Sequence, residues 1–175
     1  MKTKRSWSQG RAALIYGGMG RKLILRLKHG DRQEIAHPAA GWMHLSTKDI
    51  LTESTLIAPV PLHWMRLAKR RYNQSALIAK SLADVSGLDW CPDLLQRFRY
   101  TPSLGGKTRQ ERAEILTGTI KINPKRRHRI IGRSVLLIDD VLTTGATLEA
   151  CAHVCRAAGA GDVCVSVLAR AAKGT

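Results

Sequence analysis

Aromatic residues are scarce in this chain of 175 residues, at 5%, and phenylalanine occurs only once. We therefore expect aliphatic and β-branched side chains to fill the core. Acidic residues are also few: 13 Asp and Glu stand against 29 Lys and Arg, which gives a formal net charge of +16. Such a charge concentrates anions near the surface, so it favours phosphates, nucleic acid or an anionic membrane surface as partners, and it says nothing about the fold.

Long apolar runs are missing as well. The longest, Val135–Ile138 and Val163–Ala169, are far shorter than the roughly 20 residues of a membrane helix, so we expect no membrane insertion. The basic segment Met1–Arg5 is not followed by the apolar stretch of a signal peptide, and none is expected. With 44% hydrophobic and 24% charged residues, the composition is that of one globular domain.

Cysteines are few, and their spacing is not that of a zinc site. No Cys-x2-Cys pair occurs, so we predict no structural zinc site. Without an export signal, the thiols are expected to be reduced and the protein cytoplasmic. The four cysteines are Cys91, Cys151, Cys155 and Cys164.

Apolar periodicity and glycine or proline breaks predict strands that alternate with helices, which indicates an α/β fold with a parallel sheet. Residues 1–11 are expected to be frayed, and Arg66–Arg71 to be a cationic loop or helix start. Strands are predicted at Thr55–Val60, Leu94–Tyr100, Thr119–Ile122, Val135–Ile138 and Val163–Leu168. Helices are predicted at Leu14–Lys28, Asp31–His44 with an interruption at Pro38, Asn73–Val85 and Thr147–Ala158.

The most informative segment runs from Val135 to Thr147. An apolar strand ends at Asp139 and Asp140, and small and hydroxyl residues then lead into a helix. Ligands of parallel α/β sheets bind beyond the carboxyl ends of strands, and a helix N-terminus presents N–H groups to anions. The loop lacks the lysine of a Walker motif, so it indicates a different phosphate site.

Two interpretations of this segment stand side by side. Adjacent carboxylates accept hydrogen bonds from a vicinal diol, and a ribose carries its diol a few ångströms from its 5′-phosphate, so one loop can hold a ribose 5-phosphate unit. Asp-Asp at a strand end is also ordinary turn chemistry, and Thr-Gly-Ala-Thr is also an ordinary helix cap. Asn73 and Gln74 similarly either cap the following helix or orient the adjacent loop.

The segment resembles the signature of type I phosphoribosyltransferases, which bind 5-phosphoribosyl 1-pyrophosphate (PRPP). More narrowly, the chain is similar to the ComF/GntX-like family, proteins of that fold linked to natural competence. The supporting residues outside the signature are Tyr16-Gly17, Leu27–Asp31, Pro59–His63, Arg70–Gln74, Thr101 and Arg112.

The resemblance implies the type I phosphoribosyltransferase fold: a mostly parallel central sheet flanked by helices, with a small N-terminal hood. It places this helical hood at residues 1–50 and the core at residues 51–175. It also implies a nitrogen nucleophile that attacks the ribose C1 while pyrophosphate leaves, with Mg²⁺ held mainly by PRPP and water near Asp139 and Asp140.

The resemblance also assigns roles to individual residues. Asp139 and Asp140 would hold the ribose hydroxyls. The residues implied to bind the 5′-phosphate are Thr143, Thr144, Gly145, Ala146 and Thr147. The residues implied near the pyrophosphate are Pro61, Leu62, His63 and Arg66. The cations that a mobile loop would bring to the leaving group are Lys107, Arg109 and Arg112.

The chain departs from the family pattern in three respects. It contains no four-cysteine zinc ribbon, because that segment was lost or because the start is truncated. Arg71 stands where the family usually has a glycine. The predicted mobile loop has Leu104 near the usual position of a glutamine and Ile115 near that of an asparagine.

Three functions are compatible with these patterns. The first is a phosphoribosyltransferase with an unknown acceptor, linked to DNA uptake. The second is a non-catalytic competence factor that binds single-stranded DNA and competence proteins, and the third is a PRPP-sensing regulator. The cations considered for nucleic-acid contact are Arg70, Arg71, Arg126 and Arg127.

Overall fold

The structure, a computed structural model, describes residues 5–29, 33–99, 108, 111 and 115–171. Its helices are α1 (Gly18–His29), α2 (Ala36–Thr47), α3 (Trp64–Arg70), α4 (Gln74–Ser86) and α5 (Ala146–Ala157), with 3₁₀ helices at Gln33–Ile35 and Pro124–Arg129. Its strands are β1 (Gly10–Tyr16), β2 (Leu56–Pro59), β3 (Asp89–Trp90), β4 (Leu95–Arg97), β5 (Ile120–Ile122), β6 (Ser134–Leu142) and β7 (Asp162–Ala171).

Five of these strands form one sheet in the order β1-β7-β6-β2-β3, and every neighbouring pair is parallel. β4 and β5 pair separately as an antiparallel ribbon. The predicted class, a mostly parallel sheet flanked by helices, is confirmed. Val135–Ile138 at the centre of β6 is almost completely buried, as expected for a parallel strand with helices on both faces.

The core lies in two layers, one on each face of the sheet. Helices α2 and α4 cover one face, together with Ile24 and Leu27 of α1. Helix α5 and the β4–β5 ribbon cover the other. Cys151 and Cys155 of α5 are fully buried in this second layer, and burial raises the pKa of the Cys155 thiol to about 12.

The N-terminal region differs from the prediction. Leu14–Tyr16 belong to strand β1 rather than to a helix, because the apolar run Ala12–Ile15 pairs in parallel with β7, Leu14 opposite Ala169. The prediction of a frayed start is wrong for Arg5–Gly10, since the Ser8 N–H donates to the Val163 carbonyl at 2.9 Å and Gly10 begins β1. The hood boundary near residue 50 stays a prediction.

Two other boundaries also differ. Pro38 does not interrupt α2: it lies in the first turn, where a proline is tolerated because its missing N–H has no intrahelical acceptor. Strand β4 covers only Leu95–Arg97 of the predicted Leu94–Tyr100. Arg66–Arg71, left open between loop and helix start, lies mostly in α3.

Arg71 has a strained backbone. It ends α3 in the left-handed conformation with φ of 66°, and its N–H donates to the Leu67 carbonyl at 2.7 Å. Among the residues that the structure describes, it is the only non-glycine with a positive φ. A residue with a Cβ adopts this conformation at a cost, which explains why glycine suits this position.

We therefore expect the substitution Arg71→Gly to raise the free energy of unfolding by about 0.5–1 kcal/mol, because it removes the left-handed strain. Urea unfolding measures this. Arg71→Ala is the control, since it removes the guanidinium but keeps the Cβ. If Arg71→Gly is no more stable than Arg71→Ala, the strain is not the cause.

Candidate functional site

The carboxyl ends of β2 and β6 lie side by side. Pro59 is opposite Ile138, and the Val60 N–H donates to the Ile138 carbonyl at 2.9 Å. The turn Pro61–His63 therefore leaves the sheet next to Asp139 and Asp140. The segments that the family resemblance assigns to pyrophosphate and ribose are therefore neighbours at the carboxyl ends of adjacent strands, where ligands of such folds bind.

Asp139 and Asp140 lie within β6, which continues to Leu142 instead of ending at Ile138. Asp139 is half-buried and Asp140 is 8% exposed. Asp139 Oδ1 accepts hydrogen bonds from the Ser75 hydroxyl at 3.0 Å and from the Asp140 N–H at 2.9 Å. These two bonds fix the orientation of the first carboxylate.

Ser75 was missed by the sequence analysis. It lies in the first turn of α4, 64 positions before its partner Asp139. A serine early in a helix usually serves the helix terminus, so its residue type gave no signal for this contact. Only the packing of α4 against β6 brings it to the carboxylate.

Asn73 has both of the roles considered for it. Its Oδ1 accepts from the Ser75 N–H at 3.0 Å, which caps α4 and confirms that alternative. Its Nδ2 donates to the Val60 carbonyl at 3.0 Å. One side chain thus fastens the turn after β2 to the helix that carries Ser75.

His63 is 3% exposed and is the N-cap of α3. Its Nδ1 accepts a hydrogen bond from the Met65 N–H at 3.3 Å. Pro61 is buried and Leu62 is half-buried in the same turn. Their contact with pyrophosphate stays a prediction, and the side chain of Arg66 lies outside the description.

The predicted phosphate loop leads directly into α5. Thr143 is exposed, and Gly145 is the N-cap of α5 with φ of 79° and ψ of 8°. The Ala146 N–H contacts the Thr144 hydroxyl at 3.4 Å, and the Glu149 N–H donates to the Gly145 carbonyl at 2.8 Å. The helix begins one residue earlier than predicted. Since the first N–H groups of a helix have no intrahelical acceptor, this end is suited to an anion.

The segment Arg5–Trp7 lies against this loop, which the sequence analysis also missed. Arg5 Nη2 donates to the Thr144 carbonyl at 3.1 Å, and its guanidinium lies 4.7 Å from the centre of the Trp7 ring. A Cβ built on Gly145 would come within 3.1 Å of Trp7 Cη2 and 3.2 Å of Arg5 Nη1. Arg5 and Thr144 are about 140 positions apart in sequence, so no local sequence motif indicates their contact.

The cations considered for nucleic-acid contact have different surroundings. Arg126 Nε pairs with Asp93 at 2.9 Å, whereas Arg127 is exposed and Arg71 is exposed. Burial raises the pKa of Asp93, but its hydrogen bond with Arg126 and the charge of that residue outweigh burial and hold the pKa below its usual value. Arg126 therefore stabilises the 3₁₀ helix Pro124–Arg129 through its ion pair with Asp93.

Several predicted positions fall outside the described residues. These are Lys107, Arg109 and Arg112, and the side chains of Arg66 and Arg70. Within the described part of the chain, no three His, Cys, Asp or Glu side chains come together as a metal site. Among those same residues, we find no helix with the length and hydropathy needed to cross a bilayer.

Comparison with known proteins shows the family to which the chain belongs. The family model of the phosphoribosyl transferase domain matches residues 73–175, more than half of the chain. Competence protein F of Haemophilus influenzae is 29% identical over 154 residues, which cover 85% of this chain and 67% of that protein. DNA utilization protein YhgH of Escherichia coli K12 is 28% identical over 153 residues, covering 85% and 66%. The chain thus spans about two thirds of the length of these relatives.

Solved structures show the same fold. Glutamine phosphoribosylpyrophosphate amidotransferase from B. subtilis, complexed with ADP and GMP, superimposes with a TM-score of 0.53 at 15% identity, over 82% of this chain and 30% of that one. A structure described as the allosteric regulatory enzyme of purine biosynthesis also gives 0.53, at 17% identity over 82% and 30%. At these identities the likeness concerns the fold alone. The chain belongs to the phosphoribosyl transferase domain family, and competence protein F is among its relatives.

Proposed function

We propose that this protein binds PRPP at the carboxyl ends of β2 and β6 and transfers the phosphoribosyl group to a nitrogen acceptor in the course of DNA uptake. The observation that carries the proposal is the continuity of one segment. Two carboxylates at Asp139 and Asp140 run directly into a loop that is capped by Gly145 and opens helix α5.

The geometry of the segment suits both ends of a ribose 5-phosphate. The carboxylate of Asp139 is already oriented by Ser75, and carboxylates accept strong hydrogen bonds from hydroxyl groups. The N-terminus of α5 attracts a phosphate through its N–H groups and its dipole. The turn Pro61–His63, fastened by Asn73, lies beside them and would face the pyrophosphate.

The residues present fit Mg²⁺ as a metal that takes only one or two ligands from the protein. The site offers two neighbouring carboxylates, and Asp139 Oδ1 already accepts two hydrogen bonds. Mg²⁺ commonly binds through one or two carboxylates and takes its other ligands from substrate phosphates and water. When bound, it would neutralise charge on the phosphates, with Asp139 and Asp140 as the residues that hold it nearby.

In the proposed reaction, a bond forms between the acceptor nitrogen and ribose C1 while the bond from C1 to the pyrophosphate oxygen breaks. The nitrogen supplies the electron pair of the new bond and gives up its proton to water. The pyrophosphate takes the electron pair of the broken bond, and positive charge develops on the ribose ring in the transition state. The carboxylates at Asp139 and Asp140 stabilise this charge and hold the hydroxyls. Lys107, Arg109 and Arg112 are proposed to neutralise the leaving group.

The link to DNA rests on the names of the relatives and on charge. The similar proteins are called competence protein F and DNA utilization protein YhgH. This chain carries a net charge of +16, and Trp64 on α3 is 66% exposed, as a side chain that stacks on a base would be. These observations favour a second candidate function, binding of single-stranded DNA without turnover.

Calorimetric titration of the protein with PRPP and Mg²⁺ tests the first proposal, and we expect saturable heat. Release of pyrophosphate with a panel of bases then separates transfer from sensing, because a sensor binds without release. The absence of saturable binding would contradict the proposal. Fluorescence anisotropy with single-stranded DNA at two salt concentrations tests the second candidate, whose affinity must fall steeply with salt.

A further inference from the structure

We propose that Arg5 is a positioning residue for the phosphate loop: it holds the peptide plane between Thr144 and Gly145 so that the Gly145 N–H faces the phosphoryl group. The proposal rests on the proposed function of this loop. It is carried by the hydrogen bond of 3.1 Å from Arg5 Nη2 to the Thr144 carbonyl.

The guanidinium is itself held from two sides. It lies over the Trp7 ring at 4.7 Å from the centroid, and Arg5 Nη1 is 3.8 Å from Glu149 Oε2. Ser6 secures that carboxylate, because its N–H and its hydroxyl donate to Glu149 Oε1 at 2.9 and 2.6 Å. Arg156 Nε donates to the Ser6 carbonyl in turn. Arg5 is therefore presented to the loop by a docked segment.

The hydrogen bond acts through the geometry of the peptide unit. A trans peptide is planar, so the Thr144 carbonyl and the Gly145 N–H point in opposite directions. A donor fixed on the carbonyl thereby fixes the direction of the N–H. The positive charge on the carbonyl side also polarises the peptide and makes its N–H a stronger donor to an anion.

Arg5 also offsets the negative charge of Glu149 near the loop. Glu149 lies in the first turn of α5, where a carboxylate is favourable for the helix but repels a phosphate. The ion pair with Arg5 offsets this negative charge next to the proposed phosphate site. Loss of the guanidinium would thus both loosen the loop and leave a repulsive carboxylate.

The test compares Arg5→Gln, Arg5→Lys and the control Arg133→Gln. Arg133 also donates to a backbone carbonyl, that of Ser54 at 3.0 Å, and to a carboxylate, that of Asp89 at 3.0 Å, but it precedes the amino end of β6. The control removes the same charge from a similar environment away from the loop. The probes are ribose 5-phosphate, which uses the loop, and inorganic pyrophosphate, which is expected at the turn after β2.

We expect Arg5→Gln to weaken ribose 5-phosphate about fivefold, because a charged donor to the loop is lost, and to leave pyrophosphate unchanged. Arg5→Lys should restore most of the affinity, and Arg133→Gln should have no effect. In NMR spectra, the shift of the Gly145 amide on titration should be smaller in Arg5→Gln than in the unmodified protein.

Three results would overturn the proposal. Unchanged affinity for ribose 5-phosphate in Arg5→Gln would contradict the positioning role alone and leave the proposed function standing. An equal loss in Arg133→Gln would point to a general effect of charge or stability, and an equal loss in Arg5→Lys would show that a charged donor at this position does not position the loop. If the unmodified protein binds neither PRPP nor ribose 5-phosphate, the proposed function fails and this inference fails with it.

Discussion

The double substitution Asp139→Asn and Asp140→Asn is expected to weaken the binding of PRPP about 100-fold, because each charged hydrogen bond contributes about 1.5 kcal/mol or more. Asparagine keeps the size of aspartate and retains an acceptor at Oδ1, so the bond from Ser75 can persist. The change therefore removes the two negative charges with little effect on the shape of the site. Calorimetry with Mg²⁺ present measures the loss.

Asp84→Asn is the matched control. Asp84 is an exposed residue of α4 that pairs with Lys80 at 2.9 Å, and it lies toward the end of the helix opposite Ser75. We expect this variant to bind PRPP like the unmodified protein. Equal binding by the double variant would mean that the carboxylates do not hold the ribose.

The second large effect is expected from Gly145→Ala. The residue has φ of 79°, and an added Cβ would lie 3.1–3.2 Å from Trp7, Arg5 and Leu142. The strain and the close contacts must both be relieved by movement of the loop. We expect about 1–2 kcal/mol lower stability and at least about tenfold weaker binding of ribose 5-phosphate.

Gly87→Ala separates strain from crowding. Gly87 ends α4 with φ of 70°, and nothing lies within 4 Å of a Cβ built there. Thermal unfolding should show a loss of stability in both variants, whereas ligand binding should fall only in Gly145→Ala. A similar loss of affinity in both would show that the loop at residue 145 has no special part in binding.

The strand, the two aspartates and the loop that opens α5 could be predicted because they form one continuous segment, whereas phosphate binding by this loop stays a prediction. The apolar run Val135–Ile138, the two aspartates and Gly145 each have a strong local preference, and these preferences agree with the fold. The structure moved only the boundaries: β6 extends to Leu142, and α5 starts at Ala146.

The contacts that orient this segment could not be predicted in the same way. Ser75 reaches Asp139 across 64 positions, and Arg5 reaches Thr144 across 139. Neither Ser75 nor Arg5 lies in a local sequence motif that indicates its contact, because both contacts arise from the packing of elements that are distant in sequence. The error at β1 has a related cause: the short apolar run Ala12–Ile15 suits a helix or a strand, and pairing with β7 decides between them.

A crystal structure of the protein with PRPP and Mg²⁺ tests the central claim most directly. The account predicts ribose hydroxyls within hydrogen-bond distance of the carboxylates of Asp139 and Asp140, and the 5′-phosphate on the backbone N–H groups at the start of α5. A ligand bound elsewhere, with this loop still in contact only with the protein itself, would contradict it.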